Sequence, residues 1–347
     1  MKVYITEKIL DLIYKKMMLK FFKGTGPGVI FVIVVTLLAV WFRPFIQLNG
    51  HFTLYFDLNP MPLYGLISSL FGTNPFPGIV LSLSLVSLMA ILIVNLNSTI
   101  FFINERTFLP AFIYILISGL IPQFQLLNPV IFSSFFLMIA IRRIMAAYRI
   151  QGIAYSFFDA GILIGTGSLF YANLVWFGLL IIIGIAILRT GNIKEIAISV
   201  IGLMTPFIMT IGVYYVLDKD LRELLSLFMY NLFGKHPSYD FSRLMIVTLI
   251  YLGFLLVLSI SYLLMVMNTK KIQSRKTFFL LIWVFLISGV GYVILPSVSV
   301  EIVWLIGIPV SYFLTHYFIF SRKKLIPEIL FSIFFILILT IQIMYLF

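Results

Sequence analysis

The chain contains no cysteine and only three histidines, and Asp, Glu, Lys and Arg together make up just 10% of its 347 residues. Without cysteine there are no disulfides, zinc-thiolate sites or thiol nucleophiles. His51, His236 and His316 are too widely separated to give a local metal-ligand spacing. Phosphate-binding P-loops, dinucleotide fingerprints, HExxH, GxSxG and EF-hand patterns are all missing. No metal or cofactor is therefore expected, and ATP-driven chemistry would need another subunit. So small a charged fraction cannot clothe a water-soluble surface, which excludes the soluble fold classes.

What the chain does have is hydrophobicity: 62% of its residues are apolar, in runs long enough to cross a bilayer core. Bounding those runs by charges, prolines and Asn/Gly clusters gives about eleven spans: 27–42, 77–95, 108–121, 129–141, 160–171, 173–188, 196–217, 244–267, 278–294, 302–320 and 325–345. The expected fold is all-α, a polytopic transmembrane helical bundle forming a single integral membrane domain over 1–347. Residues 1–24 make an amphipathic segment on the cytoplasmic face. There Ile5, Ile9, Leu12 and Ile13 follow helical spacing opposite Glu7, Lys8, Asp11 and Lys15. No small-residue cleavage site follows, so this segment is expected to be retained rather than removed as a signal peptide.

The net charge of +12 belongs to the loops between these runs. With the N-terminus inside, nineteen Lys and Arg residues fall on cytoplasmic segments and five on outer ones: Arg43, Lys219, Arg222, Lys235 and Arg243. Basic residues in short loops are retained on the cytoplasmic side, so the expected orientation is N-inside and C-outside. In that setting membrane lipids, and no nucleic acid, are the partners of the basic residues.

Two hairpins are short. About fourteen residues, as in 108–121, cover only about 21 Å of a roughly 30 Å core. Their shared tip, Pro122 to Asn128, carries Gln123, Gln125 and Asn128. A polar connection below the membrane surface requires surrounding protein or a wet cavity. The pair from Asp159 to Arg189 repeats the geometry, with Tyr171 to Asn173 as its tip. Together the two describe a recess open to the outside; the alternative is helices that begin deeper in the cytoplasm, or a locally thin membrane. Gly161 and Gly165 form a GxxxG pair suited to close helix contact.

The two long outer loops, 43–76 and 218–243, each predict an interfacial helix. In the first, Asn59 and Pro60 form the start signal, Leu63, Leu66, Ile67 and Leu70 the stripe. In the second, Asp220 and Glu223 have capping-box spacing and Gly234 ends the run. Asp159, Glu301 and Glu328 each begin a span, where they suit the positive end of the helix dipole, and His316 is expected near the interface. With so few titratable groups in the spans, a proton relay is disfavoured.

Candidate chemistry therefore gathers in the outer loops. Asp57 is the sole carboxylate of the first loop and a candidate base; the bland alternative is that it caps the loop. Candidate substrate-binding residues are Arg43, His51, Gln123, Gln125, Asn128, Arg222, Lys235 and His236, the basic ones fit for a lipid-linked phosphate or for lipid headgroups.

The segments NPMPLYGLISSLF (59–71) and NERTFLPAFIYILISGLIPQFQLLNPVIF (104–132) resemble an uncharacterised family of polytopic inner-membrane proteins from Bacteroidota. More distantly, an acid-bearing first outer loop, short hairpins and a second large outer loop are similar in layout to the C-type glycosyltransferases. That resemblance implies a bacterial inner-membrane location, a polyprenyl-linked sugar as donor, and Asp57 as base with second-loop basic residues on the phosphate. The chain departs from it in having no Asp-x-Asp pair and no terminal soluble domain. Three roles follow as expectations: lipid-linked sugar transfer in envelope glycan assembly, transport or flipping of an amphiphilic or neutral substrate, and a noncatalytic place in an envelope complex with an unspecified protein partner.

Because the chain lacks cysteine, single replacements report sidedness directly. In spheroplasts, an impermeant maleimide is expected to label Lys219→Cys at once and Arg142→Cys only after the membrane is opened. The reverse pattern overturns the orientation.

Overall fold

A computed structural model describes residues 18–46, 58–71, 74–148, 155–189, 191, 193–235, 239, 241–321 and 325–346. Among them there is no strand. The helices are α1 (Pro27–Val40), α2 (Pro62–Phe71), α3 (Pro75–Ile100), α4 (Leu109–Ser118), α5 (Pro129–Ala146), α6 (Ser156–Ser168), α7 (Gly178–Leu188), α8 (Ile193–Val216), α9 (Leu221–Phe233), α10 (Arg243–Val266), α11 (Ile272–Ile294), α12 (Val303–Phe320) and α13 (Leu325–Met344). Each of the eleven apolar runs forms a helix. Seven of these helices, α3, α5, α8 and α10 to α13, are long and apolar enough to cross a membrane. The protein is a helical membrane protein, and α1, α4, α6 and α7 are its shorter members.

Packing follows sequence. In α12, counted from Val300, 83% of the apolar window is buried, against 17% in α8. So α12 is the axis of the bundle, packed by α4, α5, α10 and α11, and α8 lies at the edge. What fastens α8 is glycine. A Cβ on Gly161 would sit 2.5 Å from the Ser199 carbonyl oxygen, and one on Gly165 would sit 2.5 Å from that of Leu203. The GxxxG pair thus lets the α6 and α8 backbones touch, the close approach for which small residues are selected in membranes.

The acids at the starts of spans do more than expected. Asp159 does lie in the first turn of α6, and also faces Arg143 at 3.7 Å across an exposed surface. Glu328 lies in the first turn of α13, as expected, and also accepts from the backbone N–H groups of Met18 (2.6 Å) and Leu19 (3.0 Å) in the short helix Met18–Phe22. That short helix is the described end of the amphipathic segment; residues 1–17 lie outside the described residues. Phe22 stacks on Phe112 with ring centroids 4.1 Å apart, docking the segment on the bundle. Glu195 is fully buried and pairs with the Arg189 Nε at 3.2 Å.

The helix of the first loop starts at Pro62, not at Asn59. Proline at the first helical position costs no hydrogen bond and presets φ, and here Pro62 takes that role. Asn59 instead offers its carbonyl to Asn231. Nor does α2 only rest on a membrane surface: the Leu63 N–H donates to Leu169 O, and the Tyr64 hydroxyl to Leu127 O, so it is tied to both hairpin tips. In the second loop, Asp220 does cap α9, accepting from Arg222 N–H at 2.8 Å. The helix folds back along α8, Phe228 meeting Phe207 at 5.4 Å, and ends among the hairpin tips.

Replacing Gly161 by Leu forces side-chain atoms into the α8 backbone, at a cost of about 1–3 kcal/mol or more. Gly212, with open space at its Cβ position, is the control. In detergent, Gly161→Leu is expected to melt well below wild type and Gly212→Leu close to it.

Candidate functional site beneath the hairpin tips

Both hairpin tips are buried. Gln125 and Asn128 have no exposed surface, Tyr171 retains 3% and Asn173 4%. Protein surrounds them, as a polar connection inside a bilayer requires. Where an open recess was expected, the described residues form a covered niche of packed, buried polar side chains. The end of the bundle that carries it is called here the tip end, and the Lys/Arg-rich end the basic end.

Asn173 ties the niche together. Its Nδ2 donates to Asn231 O at 3.2 Å and to Ser297 O at 3.4 Å, and the Ser297 hydroxyl reaches back to Leu232 O and to Asn173 Oδ1. The Asn231 amide in turn donates to Asn59 O. Four stretches of chain, around residues 59, 173, 231 and 297, are thereby joined by amides and one hydroxyl.

Next to this junction lies Glu301. Helix α11 ends at Ile294, and the chain crosses the tip end through Ser297 and Ser299 before the short turn Val300–Ile302 leads into α12. Glu301 is 1% exposed, so it is no surface cap. The Tyr239 hydroxyl donates to its Oε1 at 2.6 Å, while Oε2 is buried with no hydrogen-bond partner. Tyr171 is close enough to feel its charge.

A run of contacts leads from Tyr239 to the start of α12. Tyr239 meets the edge of Phe124 at 5.1 Å; the neighbouring Gln125 donates Nε2 to Val40 O at 3.0 Å; Trp41 lies 6.2 Å from Trp304; and Trp304 stands three residues from Glu301. Along the same run Gln125 Oε1, Ser299 Oγ and Trp304 Nε1 are buried without partners, as is Asn128 Nδ2 at the tip. Each such group costs about 1–3 kcal/mol of lost hydration. Buried polar atoms without a protein partner call for a partner of another kind, water included.

The expected site residues separate. Gln125 and Asn128 are in the niche, and Gln123, partly exposed, is on the same tip. Asn128 also spends its Oδ1 capping α5, accepting from Val130 N–H. Arg43 follows Trp41 at the tip end, its guanidinium 5.0 Å above the Tyr345 ring, and burial lowers its pKa. Lys235 is exposed just beyond α9. Arg222 is not brought in: it is exposed on the first turn of α9, about 14 Å along the helix from Asn231. Asp57, His51 and His236 lie outside the described residues. Glu301, Tyr239, Asn173, Asn231, Ser297, Ser299 and Trp304 were missed by sequence reasoning. The alternation of Ser297, Ser299 and Glu301 between two apolar spans is the signal that marks them.

The chain belongs to the DUF6427 family. The family model, described as a family of unknown function, matches residues 61–347. No curated protein and no solved structure matches the chain. Apart from Trp41, Val40 and the Asn59 carbonyl, the groups that form the niche of this DUF6427 chain lie within the matched residues, whereas Arg43, His51 and Asp57 precede them.

A second buried polar group lies at the basic end. His316 is fully buried rather than interfacial, with both ring nitrogens lacking a hydrogen-bond partner. The rings of Phe320 (5.0 Å), Phe278 (5.3 Å) and Tyr262 (5.8 Å) enclose it. The Lys270 ammonium covers two of these rings, 5.3 Å from Phe278 and 5.2 Å from Phe320. Burial lowers the Lys270 pKa from 10.5 to about 8. Between those two values the unfolded chain holds a proton that the folded chain has released, so this position's contribution to stability rises with pH across the window. The melting temperature of wild type relative to Lys270→Met should therefore climb between pH 8 and pH 10.5; a flat difference contradicts it.

Proposed function

We propose that this DUF6427 chain works at the outer face of a bacterial inner membrane on an amphiphilic, hydroxyl-rich substrate, as a metal-independent transferase of lipid-linked sugar in envelope glycan assembly. The observation that carries this reading is the buried Glu301 carboxylate, one oxygen held by Tyr239 and the other unpartnered. Amide, hydroxyl and indole N–H groups around it suit a sugar, which offers hydroxyl donors and acceptors on every side. The nineteen-to-five division of Lys and Arg between the two sets of loops supports placing the tip end outside.

In this reaction the acceptor hydroxyl gives its proton to Glu301 Oε2 as its oxygen bonds to the anomeric carbon. The bond from that carbon to the lipid phosphate breaks, and the phosphate departs with the electron pair. Arg43 and Lys235, at the same end, offset the charge that develops on it. Asp57, from the first loop, is the competing base. Transport of the substrate through the bundle is less favoured. Between Glu301 and His316, the Ser311, Tyr312 and Thr315 hydroxyls on α12 are all hydrogen-bonded to backbone carbonyls, so that past Trp304 this helix offers no unpartnered polar side chain before His316.

Purified protein in nanodiscs, given polyprenyl-phosphate sugars and a hydroxyl acceptor, should form the glycosidic product. Loss of a general base costs about 10²–10⁴-fold, so Glu301→Gln should slow turnover to that extent while the protein stays folded. Full turnover in Glu301→Gln together with loss in Asp57→Asn moves the base to Asp57. Absence of any transfer by wild type sinks the transferase reading, and lipid reorientation or a stoichiometric partner would then assign a flippase or a noncatalytic subunit.

A further inference from the structure

A groove of about 400 Å³ opens between α7 and α8, lined by Trp176, Leu179, Ile182, Val200, Leu203 and Leu232 among others, nearly all of its surface apolar. Its position makes it informative. Val175 and Trp176, at its tip-end margin, stand two and three residues after Asn173, and Leu232, which closes that margin, has its carbonyl bonded by Ser297. The groove therefore begins where the polar junction of the niche ends. Gly178 holds it open at this level, since a Cβ there would come within 3.0 Å of Leu203 Cδ2. Leu179 (52% exposed), Val200 (44%) and Ile182 (39%) leave the other side open to the bilayer.

Apolar wall, polar head and a lateral opening to lipid are the three requirements of a site for an amphiphile. We infer that the groove between α7 and α8 holds one hydrocarbon chain of the lipid whose hydroxyl-bearing head occupies the niche beside Glu301, the chain entering sideways from the bilayer. This rests on the proposed function for the identity of the head and adds where the tail lies. A chain bound there spans from Leu232 toward Ser199, along the face where α6 and α8 already stand backbone to backbone, so the wall behind it is rigid. Specificity then divides in two. The niche selects for hydroxyls, and the groove admits a single chain.

The test uses an alkyl glucoside carrying a diazirine on its chain, with full-length protein in nanodiscs and peptide mapping after illumination. Labelling should concentrate on residues 175–182 and 199–203, above that of the lipid-facing α10 positions Val247, Ile250 and Val257. Ile182→Trp, which fills the groove from its open side, should lower the groove label about tenfold, the change that accompanies about 1.4 kcal/mol, with the α10 label unchanged. Leu203→Trp provides the same test from the opposite wall should Ile182→Trp fail to fold. Glu301→Gln should lower the groove label as well, because head and tail bind together. Uniform labelling of α8 and α10 overturns the chain site, and a selective groove label indifferent to Glu301→Gln overturns its link to the niche. Neither outcome depends on sugar transfer, so loss of the transferase reading alone would show in the turnover assay and leave this labelling intact.

Discussion

Every backbone polar group inside a bilayer must find its partner in the protein, and two helical hairpins with buried polar tips put that demand where it is hardest to meet. Their tips carry turns, prolines and amides, none of which can face lipid. The architecture at this end of the molecule answers that demand. Helix α2 is tied to both tips, α9 folds back to deliver Asn231, and the α11–α12 connection supplies Ser297. Once so much polar surface is assembled beneath cover, a buried carboxylate becomes tolerable there, because Tyr239 can hold one of its oxygens. The niche is a by-product of satisfying the tips, and its unpartnered atoms are what remains for water or a guest.

The two ends of α12 treat buried polarity differently. Glu301 is met by the Tyr239 hydroxyl, His316 by aromatic rings, with a lysine closing the rings on the outside. Between them the helix is sealed in the apolar core. The tip end thus gathers hydrogen-bonded polar side chains, and the basic end aromatic packing beneath a lysine.

Much of the fold was legible because hydrocarbon imposes a simple rule on sequence. Each apolar run became a helix, the Asp220 cap and the Gly234 stop of α9 stand where their spacing put them, and the glycine pair of α6 marks the closest helix contact. Depth and direction were not legible. Amphipathicity tells that α9 has an apolar face but not that the face lies along α8, and a capping pattern does not reveal that Glu328 serves a helix 310 residues away. Glu301 failed for the same reason: an acid at a helix start reads as a cap until the partners from remote segments are seen. Polar residues that act across the bundle leave only the faint trace of Ser297, Ser299 and Glu301 in alternation.

The hydrogen bonds of Asn173 connect it to Ser297, 124 residues further along the chain. Ribosomes add about 5–20 residues per second, so roughly 6–25 s separate the two residues during synthesis. For that interval the second hairpin tip lacks one of the two carbonyls that receive its amide and the hydroxyl that donates to its Oδ1, and burying it incompletely paired in hydrocarbon is unfavourable. Insertion of this protein is therefore not a succession of independent hairpins. The α6–α7 pair must wait, near water or in the care of the insertion machinery, until the last third of the chain arrives to complete it.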